Sequence, residues 1–245
     1  MTDGKEGMFR RIERRAHVHM HHDYLALREV RQSISRFHFE VGYAITTAAQ
    51  VDDATAESVL TAFLLLRQAL SIHDDVDTCR PEQQGLVVLA GDYDSSKYYY
   101  ILGHIGDSSL LYTLCEAVVE INEAKMTLLS EAARLSSSDY MRLMKIVEGQ
   151  LLKTLATHYL GANGNWMTYI DSLVQAHIVQ DELLARRVKR NFTVRQASEW
   201  LESSMEQLET GVSISSTSPL YRFMIEYFAP IQETVRHLHL AEGKG

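Results

Sequence analysis

A dense group of ionisable side chains occupies residues 72–77, whose sequence is I-H-D-D-V-D. Asp74, Asp75 and Asp77 are its carboxylates, and His73 precedes them. Like charges this close repel one another unless water solvates them or a cation neutralises them. Magnesium fits such a group because it is a hard ion that prefers carboxylate and phosphate oxygens. The residues alone leave two interpretations open: a metal site, or the solvated end of a helix.

The element that must position this group is a helix. Val59, Leu60, Phe63, Leu64 and Leu70 give the preceding segment apolar side chains on several faces. A helix without a polar face has to be surrounded by other elements, so we expect it to lie centrally. The acidic group then stands at the carboxyl end of a buried helix.

Helical spacing dominates the rest of the chain. Apolar residues recur at steps of three and four from Leu111 to Ile121 and from Leu143 to Tyr159, which is typical of amphipathic helices. Helix boundaries are indicated by an N-cap at Asp107, by a capping box in the sequence 193–196 and by Gly161 as a helix terminator. With only 3 Pro in 245 residues, we predict an all-α fold, a single domain over 1–245 with about eight to ten helices.

Composition excludes several functions. The net charge of -8 argues against nucleic-acid binding, which needs a basic surface to displace counterions. The two cysteines have no ligand spacing around them and cannot build a disulfide framework. The amino-terminal segment lacks the apolar core of a signal peptide, and no apolar run is long enough to span a bilayer. We therefore expect a cytoplasmic protein with at most peripheral membrane contact.

Further short segments follow the acidic group at a characteristic order and spacing. H-D-D-V at 73–76 is followed by L-A-G-D-Y at 89–93, and then by E-G-Q-L at 148–151 and K-T at 153–154. In order and spacing these segments resemble the trans-prenyltransferases, the polyprenyl diphosphate synthases, over roughly residues 55–160. The resemblance implies an isoprenoid-synthase-like helical bundle. It also implies that the aspartates descend from a D-D-x-x-D motif, which in that family holds magnesium against the diphosphate of the allylic substrate.

The sequence departs from the family at each catalytic motif. Thr78 stands where D-D-x-x-D requires its last aspartate, and Arg80 alone stands near the expected arginine pair. No acidic residues after Gln180 form a second D-D-x-x-D, and the early Gly-Lys-Arg motif is absent. Ionising an allylic diphosphate needs a metal cluster that stabilises the leaving pyrophosphate. We therefore interpret Asp74, Asp75 and Asp77 as a vestigial metal site and assign no catalytic residue.

One subset of the family has this degenerate character. The stretch 88–93 through the tyrosines 98–100 resembles the small component of two-component heptaprenyl or hexaprenyl diphosphate synthases of menaquinone-producing bacteria. The resemblance implies a non-catalytic, regulatory subunit that forms a heterodimer with a catalytic large subunit and is required for its activity. It also implies a polyprenyl product chain, a role in setting product length and Mg²⁺ in the assembled complex. A homodimer is one form open to the chain alone, and the sequence leaves self-association undecided.

Two further sets of residues have a candidate role under this resemblance. Leu66 and Ala69 lie shortly before the first aspartate. In family members, residues at this place form the closed end of the tunnel that holds the product. A small residue such as Ala69 would leave room there for a long chain. Ala69 would equally allow close helix packing. Tyr98, Tyr99 and Tyr100 are candidates for the partner interface, because tyrosine is enriched at interfaces, or for the core and rim of one helix.

Two alternative functions remain. A homomeric, active prenyltransferase would use Asp74, Asp75 and Asp77 with magnesium, although the second motif is missing. A non-enzymatic helical module that binds metal or a partner is the other, although no pair of E-x-x-H motifs is present. The basic, histidine-rich segment near the N-terminus is interpreted as an exposed surface helix, with contact to anionic lipid or a metal at His17 and His21 as its alternatives. Its charged residues are Arg10, Arg11, Arg14 and Arg15, followed by His17, His19, His21 and His22.

Overall fold

A computed structural model of the chain describes residues 2–28, 30, 32–76, 79–161, 165–184, 191–210, 223 and 226–235. The described residues form helices joined by short connections, with no strand among them, which confirms the all-α prediction. The chain divides into two compact units, Met1–Thr113 and Leu114–Gly245. We describe each unit by itself, and the single-domain organisation stays a prediction.

The helices of the first unit are α1 (Thr2–Met20), α2 (Asp23–Leu27), α3 (Arg36–Ala48), α4 (Asp53–Ile72) and α5 (Pro81–Ile105), with a 3₁₀ turn at His73–Asp75. Helix α6 (Ser108–Ser130) begins in this unit and continues into the second. The second unit adds α7 (Ser137–Leu160), α8 (Trp166–Leu184), α9 (Val194–Thr210) and a further helix, α10, at 226–235. The number of helices in the described ranges agrees with the expected eight to ten.

Helix α4 is the centre of the first unit, as its apolar sequence predicts. Thirteen of its 20 residues are buried, and it packs against α1, α3 and α5. Its start is fixed by Asp52, whose carboxylate accepts hydrogen bonds from the N–H groups of Ala54 (3.1 Å) and Thr55 (3.0 Å). A capped and largely buried helix gives the acidic residues at its end a fixed location.

Helix α1 is amphipathic and belongs to this core. Its buried side chains are Met8, Ile12, Ala16 and Met20, which recur at steps of four and so share one face. On the remaining surface, Arg11 Nε lies 2.8 Å from a carboxylate oxygen of Glu57 in α4. His17 is exposed, in line with the predicted surface position of the histidine-rich segment.

The predicted helix boundaries are confirmed. Asp107 accepts a hydrogen bond from the N–H of Leu110 (2.9 Å) at the start of α6. Thr193 and Gln196 form a reciprocal capping box at α9: the N–H of Thr193 donates to Gln196 Oε1 (2.9 Å), and the N–H of Gln196 donates to Thr193 Oγ1 (3.2 Å). Gly161 ends α7 with φ 74° and ψ 175°, a backbone conformation that is essentially restricted to glycine.

Helix α8 is the buried element of the second unit and packs against α7 and α9. Ile170, Leu173 and Val174 are fully buried on it. Gly149 of α7 lies against Val174, because a Cβ at position 149 would be 3.3 Å from Val174 Cγ2. Among the described helices, none combines the length and the apolar character needed to cross a lipid bilayer.

Candidate functional site

The acidic segment lies at the carboxyl end of α4, where the helix tightens into the 3₁₀ turn His73–Asp75. Asp74 and Asp75 are both exposed. Asp77, the third predicted ligand, and Thr78 lie outside the described residues. The described donor set is thus two carboxylates adjacent in sequence. Such a pair can contact a hydrated magnesium ion, and in the sequence Thr78, not a carboxylate, follows Asp74 by about one helical turn.

The H-D-D and L-A-G-D-Y segments meet at one contact, which explains why they occur together. A Cβ at Gly91 of α5 would lie 2.5 Å from His73 Nε2 and 2.9 Å from Ile72 Cγ2. Glycine is therefore required for α5 to approach the end of α4 this closely. Asp92, the next residue, places its Oδ1 3.7 Å from His73 Nε2. The spacing of the two segments reflects helix packing and positions the imidazole beside the acidic turn.

Asp94 is an ionisable residue that the sequence interpretation missed. Its side chain is fully buried in α5, and the Gln32 side-chain amide donates to its Oδ1 (2.9 Å) and Oδ2 (3.1 Å). Burial raises the pKa of Asp94 to about 7, against the opposing effects of Gln32 and Lys97. The sequence pattern could have indicated this burial, because Asp94 is four residues from both Ala90 and Tyr98. All three lie on the buried face of α5.

The proposed tunnel residues lie in the core of the first unit. Leu66 is 1% exposed and Ala69 is fully buried, both on α4. Neither residue lines the two surface clefts between α2 and the start of α5. The tunnel role of Leu66 and Ala69 stays a prediction, and close packing of α4 accounts for a small residue at position 69 equally well.

The three tyrosines predicted at a partner interface have different environments. Tyr98 is 2% exposed and belongs to the core, with its ring 4.1 Å from that of Tyr99. Tyr99 and Tyr100 are 49% and 60% exposed, and the Tyr100 ring lies 4.3 Å from the His104 imidazole. Of the three, only Tyr99 and Tyr100 stand where a partner could contact them on this chain; an interface role for them stays a prediction.

In the second unit, the acids at the end of α8 have structural partners. Glu182 is 4% exposed, and its Oε1 accepts hydrogen bonds from the backbone N–H and the side-chain amide of Asn191, both at 3.0 Å. The Tyr140 hydroxyl lies 3.4 Å from its other oxygen. Glu182 therefore ties the end of α8 to α7 and to the start of α9, a role that its sequence context did not indicate.

A histidine network on α8 was also missed. His177 Nε2 lies 3.5 Å from Asp181 Oδ2, one turn along α8, and 4.0 Å from Glu148 Oε2 on α7. Its Nδ1 lies 2.7 Å from the Tyr227 hydroxyl. Burial, followed by the charges of Asp181 and Glu148, raises the pKa of Tyr227 above its ordinary value, so the phenol stays protonated. The i, i+4 spacing of His177 and Asp181 is the signal that sequence reasoning could have used.

Lys153, the lysine of the K-T segment, forms an ion pair within the second unit. Lys153 Nζ lies 2.6 Å from Asp171 Oδ1 on α8. Burial lowers the pKa of the neighbouring Lys145, an effect that Asp171 opposes and Lys153 reinforces. The charge of Lys153 is therefore balanced inside the second unit, between α7 and α8.

Helix α6 presents an apolar stripe to solvent along its part in the second unit. Val119, Met126 and Leu129 are 57%, 61% and 73% exposed. With Cys115 and Asn122 they recur at steps of three and four, which places them on one face. The opposite face carries the buried residues Leu114, Ala117, Ile121 and Ala124. An apolar face with a heptad-like spacing is the pattern by which one helix packs against another.

Solved structures establish the class of fold. A polyprenyl synthase from Roseobacter denitrificans superposes with a TM-score of 0.59 at 15% identity, covering 94% of this chain and 92% of that chain. A geranylgeranyl pyrophosphate synthetase from Pyrococcus horikoshii gives a TM-score of 0.50 at 15% identity, covering 95% and 97%. The protein thus has the helical fold of the isoprenoid synthases, as predicted.

The particular family follows from the sequence. Residues 22–215 match the model of heptaprenyl diphosphate synthase subunit 1, and this chain belongs to that family. Heptaprenyl diphosphate synthase component 1 of Geobacillus stearothermophilus is 31% identical over 140 residues, which are 56% of this chain and 63% of the relative. The aligned part thus spans less than two thirds of that relative. The predicted resemblance to a small synthase component is confirmed.

Proposed function

We propose that this chain is the accessory, non-catalytic subunit of a long-chain prenyl diphosphate synthase of the heptaprenyl type. It pairs with a catalytic large subunit as a heterodimer, is needed for the activity of that subunit and helps set product length for the menaquinone side chain. The observation that carries the proposal is the sequence at the end of α4, where Thr78 and not a carboxylate follows Asp74 by four residues, in a chain of the subunit 1 family. Asp74 and Asp75 are exposed at that end of α4.

The chemistry of the second unit supports an accessory role. A synthase that ionises an allylic diphosphate needs carboxylates and cations that face the substrate and the metal. Here Glu182 accepts two hydrogen bonds from Asn191, and Lys153 is paired with Asp171 at 2.6 Å. Redirecting either group towards a substrate would break these internal bonds. Mg²⁺ in the assembled complex is therefore assigned to the catalytic subunit.

The apolar stripe of α6 supports assembly with a partner. Val119, Met126 and Leu129 are each more than half exposed, which is unfavourable for large apolar side chains in clusters on a monomer. Covering them with a helix of the large subunit would remove this surface from water and contribute about 25 cal/mol per Å² of apolar area buried. We assign this stripe as part of the subunit interface.

The test measures transfer of labelled isopentenyl diphosphate to farnesyl diphosphate with magnesium, first with this chain alone and then with the catalytic subunit added. We expect no elongation by the chain alone and long-chain product from the mixture. Elongation by the chain alone would refute the non-catalytic assignment and would favour a working metal site at Asp74 and Asp75. Absence of product in both arms, with a catalytic subunit that is folded and soluble, would refute the pairing.

Interface variants sharpen the test. Val119→Lys and Met126→Lys place charges on the exposed stripe without touching the core, so they should weaken co-purification with the large subunit and lower product formation. Glu120→Lys is the matched control, because position 120 is exposed on the same helix but off the stripe. Equal activity of all three variants at subunit concentrations near the dissociation constant would exclude the stripe from the interface.

A further inference from the structure

Histidines are concentrated at the end of α1. Four of the 11 histidines of the chain fall within residues 17–22, whose sequence is H-V-H-M-H-H, and Asp23 follows directly. Imidazole and carboxylate groups are ligands of zinc and of similar divalent transition metals. These side chains have no part in the function proposed above.

The backbone places His17 and His21 one helical turn apart. The N–H of His21 donates to the carbonyl oxygen of His17 (2.9 Å), so the helical register of α1 continues through His21. Side chains at positions i and i+4 share one face of a helix, with about 5–6 Å between their Cβ atoms. This is the spacing by which a helical histidine pair holds zinc. Both residues are exposed, so their imidazoles can turn towards a common point in solvent without disturbing the core.

Asp23 supplies a third donor beside His21. Its Oδ1 lies 3.1 Å from His21 Nε2, and its side chain is fully exposed to solvent. Two atoms that bind one tetrahedral zinc ion at about 2.0–2.1 Å lie roughly 3.3 Å from each other. The His21–Asp23 pair therefore already has the separation that shared coordination requires. With His17 added, three protein donors leave one tetrahedral position to water.

The connection from α1 to α2 holds these donors on a fixed backbone. Met20, the last residue of α1, and Leu25 of α2 are both buried, so the chain is anchored on each side of the connection. His22 has a separate role as the N-cap of α2, because its Nδ1 accepts a hydrogen bond from the N–H of Tyr24 (3.2 Å). A metal ion at this connection would order side chains but not backbone, which lowers the entropic cost of binding.

We propose that His17, His21 and Asp23 bind one divalent transition-metal ion of the zinc type, through the two imidazole Nε2 atoms and a carboxylate oxygen. The ion cross-links the end of α1 to the start of α2, and His17 reaches it by rotation of its exposed side chain. Arg14, which precedes His17 on the helix, is also exposed, so water and salt screen its charge. Mg²⁺ prefers oxygen ligands and is a poor competitor for two imidazoles. The site is independent of the pairing with a catalytic subunit and of the acidic turn.

The experiment uses the full chain without a polyhistidine tag, freed of metal with EDTA that is then removed. Titration calorimetry with zinc chloride measures the affinity, and thermal unfolding with and without zinc measures the effect on stability. We expect saturable binding and a higher midpoint of unfolding, because an ion that binds the native state stabilises it. An excess of magnesium chloride should leave the zinc affinity unchanged. No saturable zinc binding, or displacement of zinc by magnesium, would overturn the proposal.

Variants make the assignment specific. His17→Gln and His21→Gln should each weaken zinc at least about tenfold, because even loss of a group that only orients a metal ligand costs roughly 10–100-fold. Asp23→Asn should also weaken zinc, since it replaces the charged donor with a neutral amide.

His22→Asn is the adjacent control. His22 is exposed and asparagine preserves an N-cap, so the zinc affinity should change less than about twofold. His104→Gln, at an exposed histidine of α5, is the distant control and should behave alike. Thermal unfolding in EDTA checks that all variants fold as the wild type does. Unchanged affinity in any of the three ligand variants, or an equal loss in His22→Asn, would overturn the proposed ligand set.

Discussion

Replacing Gly91 by alanine tests whether the contact between the two motif segments is a packing requirement. A Cβ there would meet His73 Nε2 at 2.5 Å, His73 Cε1 at 2.6 Å and Ile72 Cγ2 at 2.9 Å. Such distances require the imidazole to move or α5 to shift from α4, and overpacking of this kind costs roughly 1–3 kcal/mol. Alanine also gains about 1 kcal/mol over glycine inside a helix. The net expectation is a loss of about 0–2 kcal/mol in the free energy of unfolding.

Gly85→Ala is the matched control. Gly85 lies in the same helix, and a Cβ there would meet no atom within 4 Å. This variant should therefore show only the gain in helix propensity of alanine over glycine. That gain stabilises the protein by roughly 0.5–1 kcal/mol. The difference between the two variants, about 1–3 kcal/mol, is the steric cost at position 91. Denaturant unfolding followed by far-ultraviolet circular dichroism measures both free energies under the same conditions.

A double variant separates the imidazole from the rest of the contact. In a His73→Ala background the two shortest contacts of the new Cβ are removed. The steric cost of Gly91→Ala should therefore be at most half of its value in the wild-type background. The double-mutant cycle reports this reduction as a coupling energy between positions 73 and 91. If Gly91→Ala is as stabilising as Gly85→Ala in the wild-type background, α5 does not lie against His73 as described, and the explanation of the paired motifs is wrong.

Three further variants test individual groups by their free energy of unfolding. Burial raises the pKa of Asp94 to about 7, above its unfolded value of about 3.9, so its contribution falls as pH rises from about 4 to about 7, by at most about 4 kcal/mol. Asp94→Asn should flatten the decline of stability between about pH 4 and about pH 7, whereas the exposed control Asp53→Asn should keep it. Gly161→Ala should cost about 1–3 kcal/mol, because the φ of 74° and ψ of 175° suit only glycine; no change would place the end of α7 in another conformation. Thr193→Ala should cost about 1 kcal/mol by removing the capping box with Gln196, and an unchanged transition midpoint would contradict that cap.

Much of the fold could be predicted because its signals are local. The apolar sequence of α4 requires a buried helix, and Asp107, Gly161 and the pair Thr193 and Gln196 set helix boundaries through contacts within one turn. These features depend on the backbone and on side chains close in sequence. Element type and boundaries therefore follow from pattern, without knowledge of tertiary contacts.

The candidate site was harder to predict because its chemistry depends on partners distant in sequence. Asp94 acquires its raised pKa from burial and is held by Gln32, 62 residues earlier. In the sequence, Glu182 cannot be distinguished from the other acidic residues near it. Its structural role depends on contacts such as that with Tyr140, which lies 42 residues earlier. A single sequence shows the periodicity that buries such residues, but not the donor that satisfies them.

The proposed loss of catalytic chemistry is physically compatible with retention of the fold in this chain. The glycine at position 91 is fixed by the steric contact with His73, so the L-A-G-D-Y segment keeps its form whether or not a metal binds at the acidic turn. Glu182 likewise stabilises the end of α8 through hydrogen bonds, a role independent of a substrate. Motif residues of a synthase can therefore persist for packing alone. The exposed apolar stripe of α6 has no such structural role within the described residues, and it is then a more informative place to look for function.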